Sequence, residues 1–247
     1  KAGDIGRDRH GHDIVVAGSI GPTGELFAPM GSLDHGEALA AFTAQAEALA
    51  AGGADLLWIE TMSSLEEIKA AIEAAAAVGL PAATCMTFDT AARSMMGITP
   101  ADFASQSTAF GAAYIGANCG IGPAELLHSV SKILVDAKVP VIAKGNCGIP
   151  AYVDGAIHYH GTPELMAAYA CLARDAGVTI IGGCCGTTEV HVRAMRTALE
   201  SVPRRPFDQE AADAALGVAW KDVPTPDNAG DTKQSTGRRR GRRRDRG

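Results

Sequence analysis

The sequence is poor in aromatics, which make up 5% of its 247 residues, with 2 tryptophans and 4 tyrosines. It therefore offers no obvious aromatic cage for a quaternary ammonium ligand. No apolar run approaches the roughly 18–20 residues that a membrane span requires, which argues against a transmembrane helix. The first residue is Lys1 rather than Met, and residues 1–12 are polar and lack the apolar segment of an export signal. No glycine-rich phosphate-binding fingerprint follows any apolar run, which weighs against a dinucleotide-binding sheet. The expected location is the cytoplasm.

Positive charge is scarce outside the C-terminal end. Seven of the 22 basic residues and one of the 28 acidic ones lie between Arg238 and Arg246, leaving 15 basic against 27 acidic residues, a charge of −12, on the remainder. An acidic body does not present the basic face that nucleic-acid binding uses. The arginine run reads as a solvated tail, and a contact with RNA or another acidic surface is the weaker reading.

What is present is a regular alternation. Short β-branched or apolar runs at 14–20, 56–62, 82–88, 113–119, 139–146 and 178–185 are separated by Ala-rich amphipathic stretches at 36–51, 64–78, 100–110, 123–136, 163–176 and 188–201. Nearly continuous hydrophobicity in the short runs suits parallel strands buried on both faces. Thr99-Pro100 and Thr162-Pro163 each set a capping hydroxyl before a proline at the first helical position. Ser63 or Ser64 with Glu66 or Glu67 has capping-box spacing, and Gly52-Gly53, Gly79 and Gly177 close helices.

Six βα units in succession predict an α/β protein with a parallel barrel, a (β/α)8 TIM barrel whose first two units are missing from the chain. An open doubly wound sheet is the alternative. The barrel domain is expected over residues 1–202. Residues 203–247, rich in Pro, Asp, Gly, Thr and Gln, read as an extension, disordered at least from Lys221.

Six cysteines, at 85, 119, 147, 171, 184 and 185, fit a reducing compartment better than a disulfide framework. Cys119 ends one expected strand in GANCG, and Cys184-Cys185 end another in GGCCG. In a parallel barrel both ends lie on the rim where chemistry occurs. Adjacent side chains on a strand point to opposite faces, so the vicinal pair can share one ion only if the backbone turns, which Gly182, Gly183 and Gly186 permit. Three thiolates around Zn²⁺ leave a fourth position open, as in a catalytic site, where a substrate thiol would lose its proton and attack an activated methyl group. A redox dithiol and plain core packing are the competing readings. Cys85 and Cys171 are expected in the core, with Cys147 nearer the mouth. His158 and His160 with Tyr152 and Tyr159 are expected in a solvated loop, and His10 and His12 on the surface.

The stretches AGSIGPTGE, GGADLLWIET, GANCGIGPAEL and GGCCGTTEVHVRAM, in that order, resemble the homocysteine S-methyltransferases. That family includes betaine–homocysteine methyltransferase and the homocysteine-binding module of cobalamin-dependent methionine synthase. The resemblance covers residues 14–201. It implies zinc bound by Cys119, Cys184 and Cys185, with homocysteine's amino group on Glu60. It also sets Asn118 and Asn146 beside the substrate and makes methionine the product. No cobalamin- or folate-binding domain follows in the sequence, so a small donor of the betaine or S-methylmethionine type is expected. A methylated corrinoid on a separate protein is the alternative. An acidic residue in an N-terminal glycine-rich motif of the family has no counterpart here. A homo-oligomer is compatible with this reading.

Overall fold

The computed structural model describes residues 11, 13–148, 150–153 and 155–221, so His10, His12 and the arginine run lie outside the described residues. The chain runs β1 (Ala17–Ile20), α1 (His35–Ala51), β2 (Leu56–Met62), α2 (Leu65–Ala77), β3 (Ala82–Met86), α3 (Pro100–Phe110), β4 (Tyr114–Cys119) and α4 (Pro123–Asp136). It continues through β5 (Val141–Gly145), β6 (Pro150–Val153), β7 (Ala156–Tyr159), α5 (Pro163–Ala176), β8 (Ile180–Gly183), α6 (Glu189–Ser201) and α7 (Gln209–Leu216).

Local chemistry accounts for the boundaries. Thr99 and Thr162 cap α3 and α5 by accepting from the amides of Asp102 and Leu165, with proline in the first turn of each helix. Asp34 caps α1 in a reciprocal box with Glu37. Such caps satisfy amides that the first helical turn leaves without partners. Gly111 and Gly177 end α3 and α5 in the left-handed region, which a Cβ would strain.

Six strands form one parallel sheet in the order β1-β2-β3-β4-β5-β8. Every strand lies beside its predecessor, whereas a doubly wound sheet reverses direction partway, so the doubly wound alternative is excluded. The sheet is a curled part-barrel, six strands of the eight in a complete (β/α)8 barrel. Successive helices pack against one another from α1 to α6 on its outer side. The pleat sorts residues between the two faces. Leu57, Ile59, Ala82, Met86, Ile115, Ala117, Val141 and Ala143 join the helices in the main core. Ala83, Cys85 and Ile142 form a smaller buried cluster with Leu56, Trp58, Tyr114 and Ile180 against it on the inner face.

Two elements were not expected from the sequence. Residues 150–159 form an antiparallel hairpin, β6 with β7, rather than a loop, and His158 pairs with Ala151 on its exposed surface. Residues 209–216 form α7, which is capped by Asp208 and packs on α5 and α4 through buried Ala212. The other expected core cysteines divide: Cys85 is fully buried, whereas Cys171 on α5 is only partly covered. Among the described residues no helix is long and apolar enough to cross a membrane.

Candidate metal centre

Cys119 is the last residue of β4, and Cys184 and Cys185 follow directly on β8. The topology sets both at the C-terminal rim of the sheet, with β5 between them. Cys119 Sγ lies 3.1 Å from Cys184 Sγ and 3.8 Å from Cys185 Sγ. All three ligand atoms fall within 4.8 Å of one another, and all three cysteines are free thiols.

This convergence goes against the pleat. Asn118 belongs to the inner face, so plain alternation would send the next side chain outward. Cys119 escapes that by adopting φ +57°, and Thr61 at the end of β2 adopts φ +64°. A left-handed backbone at residues other than glycine costs about 1–3 kcal/mol and persists only where the surroundings enforce it. Here the enforcing group is Asn118, which is fully buried. It accepts from the Thr61 amide at 2.8 Å and donates to Thr61 Oγ1 at 2.9 Å. Thr87 Oγ1 adds a bond to the Asn118 carbonyl at 3.1 Å.

The vicinal pair is held from β5. The Cys184 amide donates to the Gly145 carbonyl at 2.7 Å, and the Cys147 amide donates to the Cys185 carbonyl at 2.8 Å. Asn146 ties both cysteine loops together, accepting from the Cys185 amide at 3.0 Å and donating to the Gly120 carbonyl at 2.6 Å. The three glycines expected to permit the turn have different reasons. Gly186 has φ +77°, and a Cβ there would sit 2.3 Å from the Tyr159 ring. Gly183 keeps an ordinary backbone, but a Cβ would strike Thr187 at 2.3 Å. Gly182 leaves normal contact distance to the Lys144 stem.

The electrostatics favour one anion on the cluster. A hydrogen bond from Cys119 pulls the Cys184 thiol well below its ordinary value, with help from the Lys144 charge and Asn118 and against desolvation. Cys119 moves the opposite way, because it is the donor to Cys184 and is partly desolvated. A thiolate that is hydrogen-bonded and near a cation is the form that binds metal.

Glu60 lies on the inner face of β2. It forms an ion pair with Lys144 at 2.5 Å and accepts from Ser19 Oγ at 2.7 Å. Sequence reasoning passed over Lys144 and Thr61, and it set Tyr159 in a solvated loop rather than in β7. A single lysine inside the apolar strand VIAKG was a legible signal for the first of these. Nothing local in the sequence marks Thr61, and Tyr159 is brought beside Cys185 by the hairpin. Cys147 is buried near the rim, with its thiol donating to the Gly161 carbonyl at 3.0 Å. His158 and His160 are exposed.

The chain is a parallel α/β part-barrel with a three-thiol cluster, a set that could hold a metal ion, on the C-terminal rim where barrel enzymes do their chemistry. The pattern described as Homocysteine S-methyltransferase matches residues 2–199, and the chain belongs to that family. It is 28% identical over 221 residues to methionine synthase of Mycobacterium tuberculosis (strain ATCC 25618 / H37Rv), covering 87% of this chain and 18% of that protein. It is 30% identical over 195 residues to methionine synthase of Mycobacterium leprae (strain TN), covering 76% of this chain and 16% of that one. The chain thus spans under a fifth of the length of either relative. Among solved structures, the homocysteine methyltransferase MmuM from Escherichia coli is similar in its apo form, at 25% identity and a TM-score of 0.57. That match covers 76% of this chain and 64% of the other. Its metallated form gives 26% identity and a TM-score of 0.55, covering 75% and 61%.

Proposed function

We propose that this chain is a zinc-dependent homocysteine S-methyltransferase, with Cys119, Cys184 and Cys185 as the zinc ligands and methionine as the product. The observation that carries the reading is the sulfur geometry. Zn–S bonds of about 2.3 Å in a tetrahedron set sulfurs about 3.8 Å apart. The cluster, with one separation of 3.1 Å, one of 3.8 Å and all atoms within 4.8 Å, fits that edge after small side-chain adjustments. A zinc ion held by Cys119, Cys184 and Cys185 would supply Lewis-acid chemistry that favours the thiolate form of a substrate thiol at neutral pH.

The protein's own groups do the rest. Asn118 and Asn146 fix the loops that carry the cysteines, so the ligands are held before any ion arrives. Glu60, half-buried on the inner face beside the rim, is the group to receive the α-ammonium of homocysteine. Trp58, Tyr114 and Ile180 lie on the same inner face, packed against Ala83, Cys85 and Ile142. Holding the sulfur and the headgroup at once aims the thiol at a methyl donor arriving from the open rim. The donor is read as a small sulfonium or ammonium compound of the S-methylmethionine or betaine type.

A second reading draws on the 3.1 Å approach of Cys119 to Cys184, which suits a redox dithiol. One experiment separates the two. The full chain is loaded with zinc and offered homocysteine with betaine, S-methylmethionine or a methylated corrinoid, and methionine is scored by mass spectrometry. The proposal expects near-stoichiometric zinc, and a chelator should remove metal and activity together. A chain that keeps no zinc, makes no methionine with any donor and titrates as a two-electron dithiol would sink it.

A further inference from the structure

Lys144 is foreign to its strand. Val141, Ile142 and Ala143 before it are buried apolar residues, and Gly145 after it is buried as well. Its side chain lies on the inner face, where a Cβ at Gly182 would sit 3.6 Å from its Cγ and where its ammonium stands 5.8 Å from the Trp58 ring centroid. An ammonium carries three donors. Among the described residues only Glu60 takes a hydrogen bond from it. Glu60 in turn is held by Ser19 and Lys144, one on each oxygen. The pair is therefore a matched cation and anion, side by side, with donor capacity to spare on the cation.

The headgroup of homocysteine is also a cation and an anion side by side. Glu60 alone would neutralise the ammonium and leave the carboxylate without a counter-charge in a half-buried site, an arrangement that is strongly disfavoured. Strand register sets the scale. Lys144 is level with Gly182, and Cys184 lies two residues further along the same face. Two residues of strand span about 7 Å, comparable with the arm that separates the sulfur of homocysteine from its headgroup.

We infer that Lys144 receives the α-carboxylate of homocysteine while Glu60 receives the α-ammonium, so that the Lys144–Glu60 pair is a preformed receptor for an amino-acid zwitterion. This rests on the reading that homocysteine's sulfur is seated on the cysteine cluster. Without substrate the two side chains satisfy each other. With substrate each keeps a counter-charge and the net charge of the site is unchanged, so neither is stranded at any stage.

Calorimetric titration of the full zinc-loaded chain tests this with three thiols: homocysteine, its decarboxylated analogue aminopropanethiol and its deaminated analogue sulfanylbutanoate. The wild type should bind aminopropanethiol about 10- to 100-fold more weakly than homocysteine, the loss expected for one charge-assisted contact. Lys144→Met should bring the two affinities together, and Lys144→Arg should keep them apart. If Lys144 served only to orient Glu60, Lys144→Met would weaken both amine-bearing thiols by the same factor, which would overturn the inference. Equal wild-type affinities for homocysteine and aminopropanethiol would overturn it without any variant. Failure of the wild type to bind any of the three thiols would instead remove the proposed function, and this inference with it.

Discussion

The two faces of the six-stranded sheet share every strand yet have almost nothing in common. On the outer face Leu57, Ile59, Met86, Ile115 and Val141 are buried against helices, and the polar Thr84 among them is itself fully buried with its hydroxyl donating to the Tyr114 carbonyl. On the inner face the neighbouring positions carry Trp58, Glu60, Cys85, Asn118 and Lys144. Ile59 and Glu60, Ala117 and Asn118, Ala143 and Lys144 are adjacent in sequence and opposite in role. Pleat alternation thus lets one strand hold the fold together with one set of side chains and present chemistry with the other. The cysteine cluster is where this rule breaks. Cys119 and Cys185 each follow an inner-face residue, and each reaches the cluster because the backbone leaves strand geometry, at φ +57° for Cys119 and at the Gly186 turn for Cys185.

The sharpest way to break the comparison is to remove chemistry without touching the fold. Cys184→Ser should reduce bound zinc from about one ion per chain to nearly none, because the set of three thiolates loses its central member. Metal analysis after dialysis measures it. The melting temperature of the chelated chain should match that of chelated wild type, since Cys184 takes no part in the outer core. A large drop there would mean the faces are coupled.

The converse change comes next in size. Ile115→Ala, at a fully buried outer-face position four residues before Cys119, should cost about 2–5 kcal/mol in denaturant unfolding. Zinc content below the transition should stay at the wild-type level. Asn146→Ala should have a smaller effect, confined to the rim. Losing the bonds to Gly120 and Cys185 should weaken zinc binding by about 10- to 100-fold in a competition titration, with little change in unfolding of the metal-free chain.

Legibility in the sequence followed the same division. The strands and helices of the barrel could be read because hydrophobic periodicity and caps are local signals, and β2 runs over 56–62 in both the expectation and the structure. The three cysteines could be singled out because glycine-flanked vicinal thiols are rare outside metal or redox sites, and their convergence followed from strand order. The supports were harder to find. The clamp of Asn118 on Thr61 joins residues 57 apart, and the Lys144–Glu60 pair spans 84, so only register brings either together. The hairpin at 150–159 was missed because its Pro, Gly and exposed polar residues resemble a loop. The turn pairing that makes it a hairpin buries little. Helix α7 was missed for a related reason: a short Ala-rich segment after a proline-containing stretch has a weak pattern until α4 and α5 give it something to pack on.

That last helix gives the mildest test of how far the separation extends. Asp208 caps α7 by accepting from the amides of Glu210 and Ala211, at 2.9 and 3.3 Å, and nothing from α7 reaches the cysteine cluster among the described contacts. Asp208→Ala should therefore lower stability by about 0.5–2 kcal/mol, the usual loss for an N-cap. It should leave zinc content and homocysteine affinity unchanged. The helix lies against α4 and α5, which themselves support β5 and the rim. A measurable fall in zinc affinity would show that rim geometry is transmitted through these helices, so that the outer face would help set the metal site as well as stabilise the sheet.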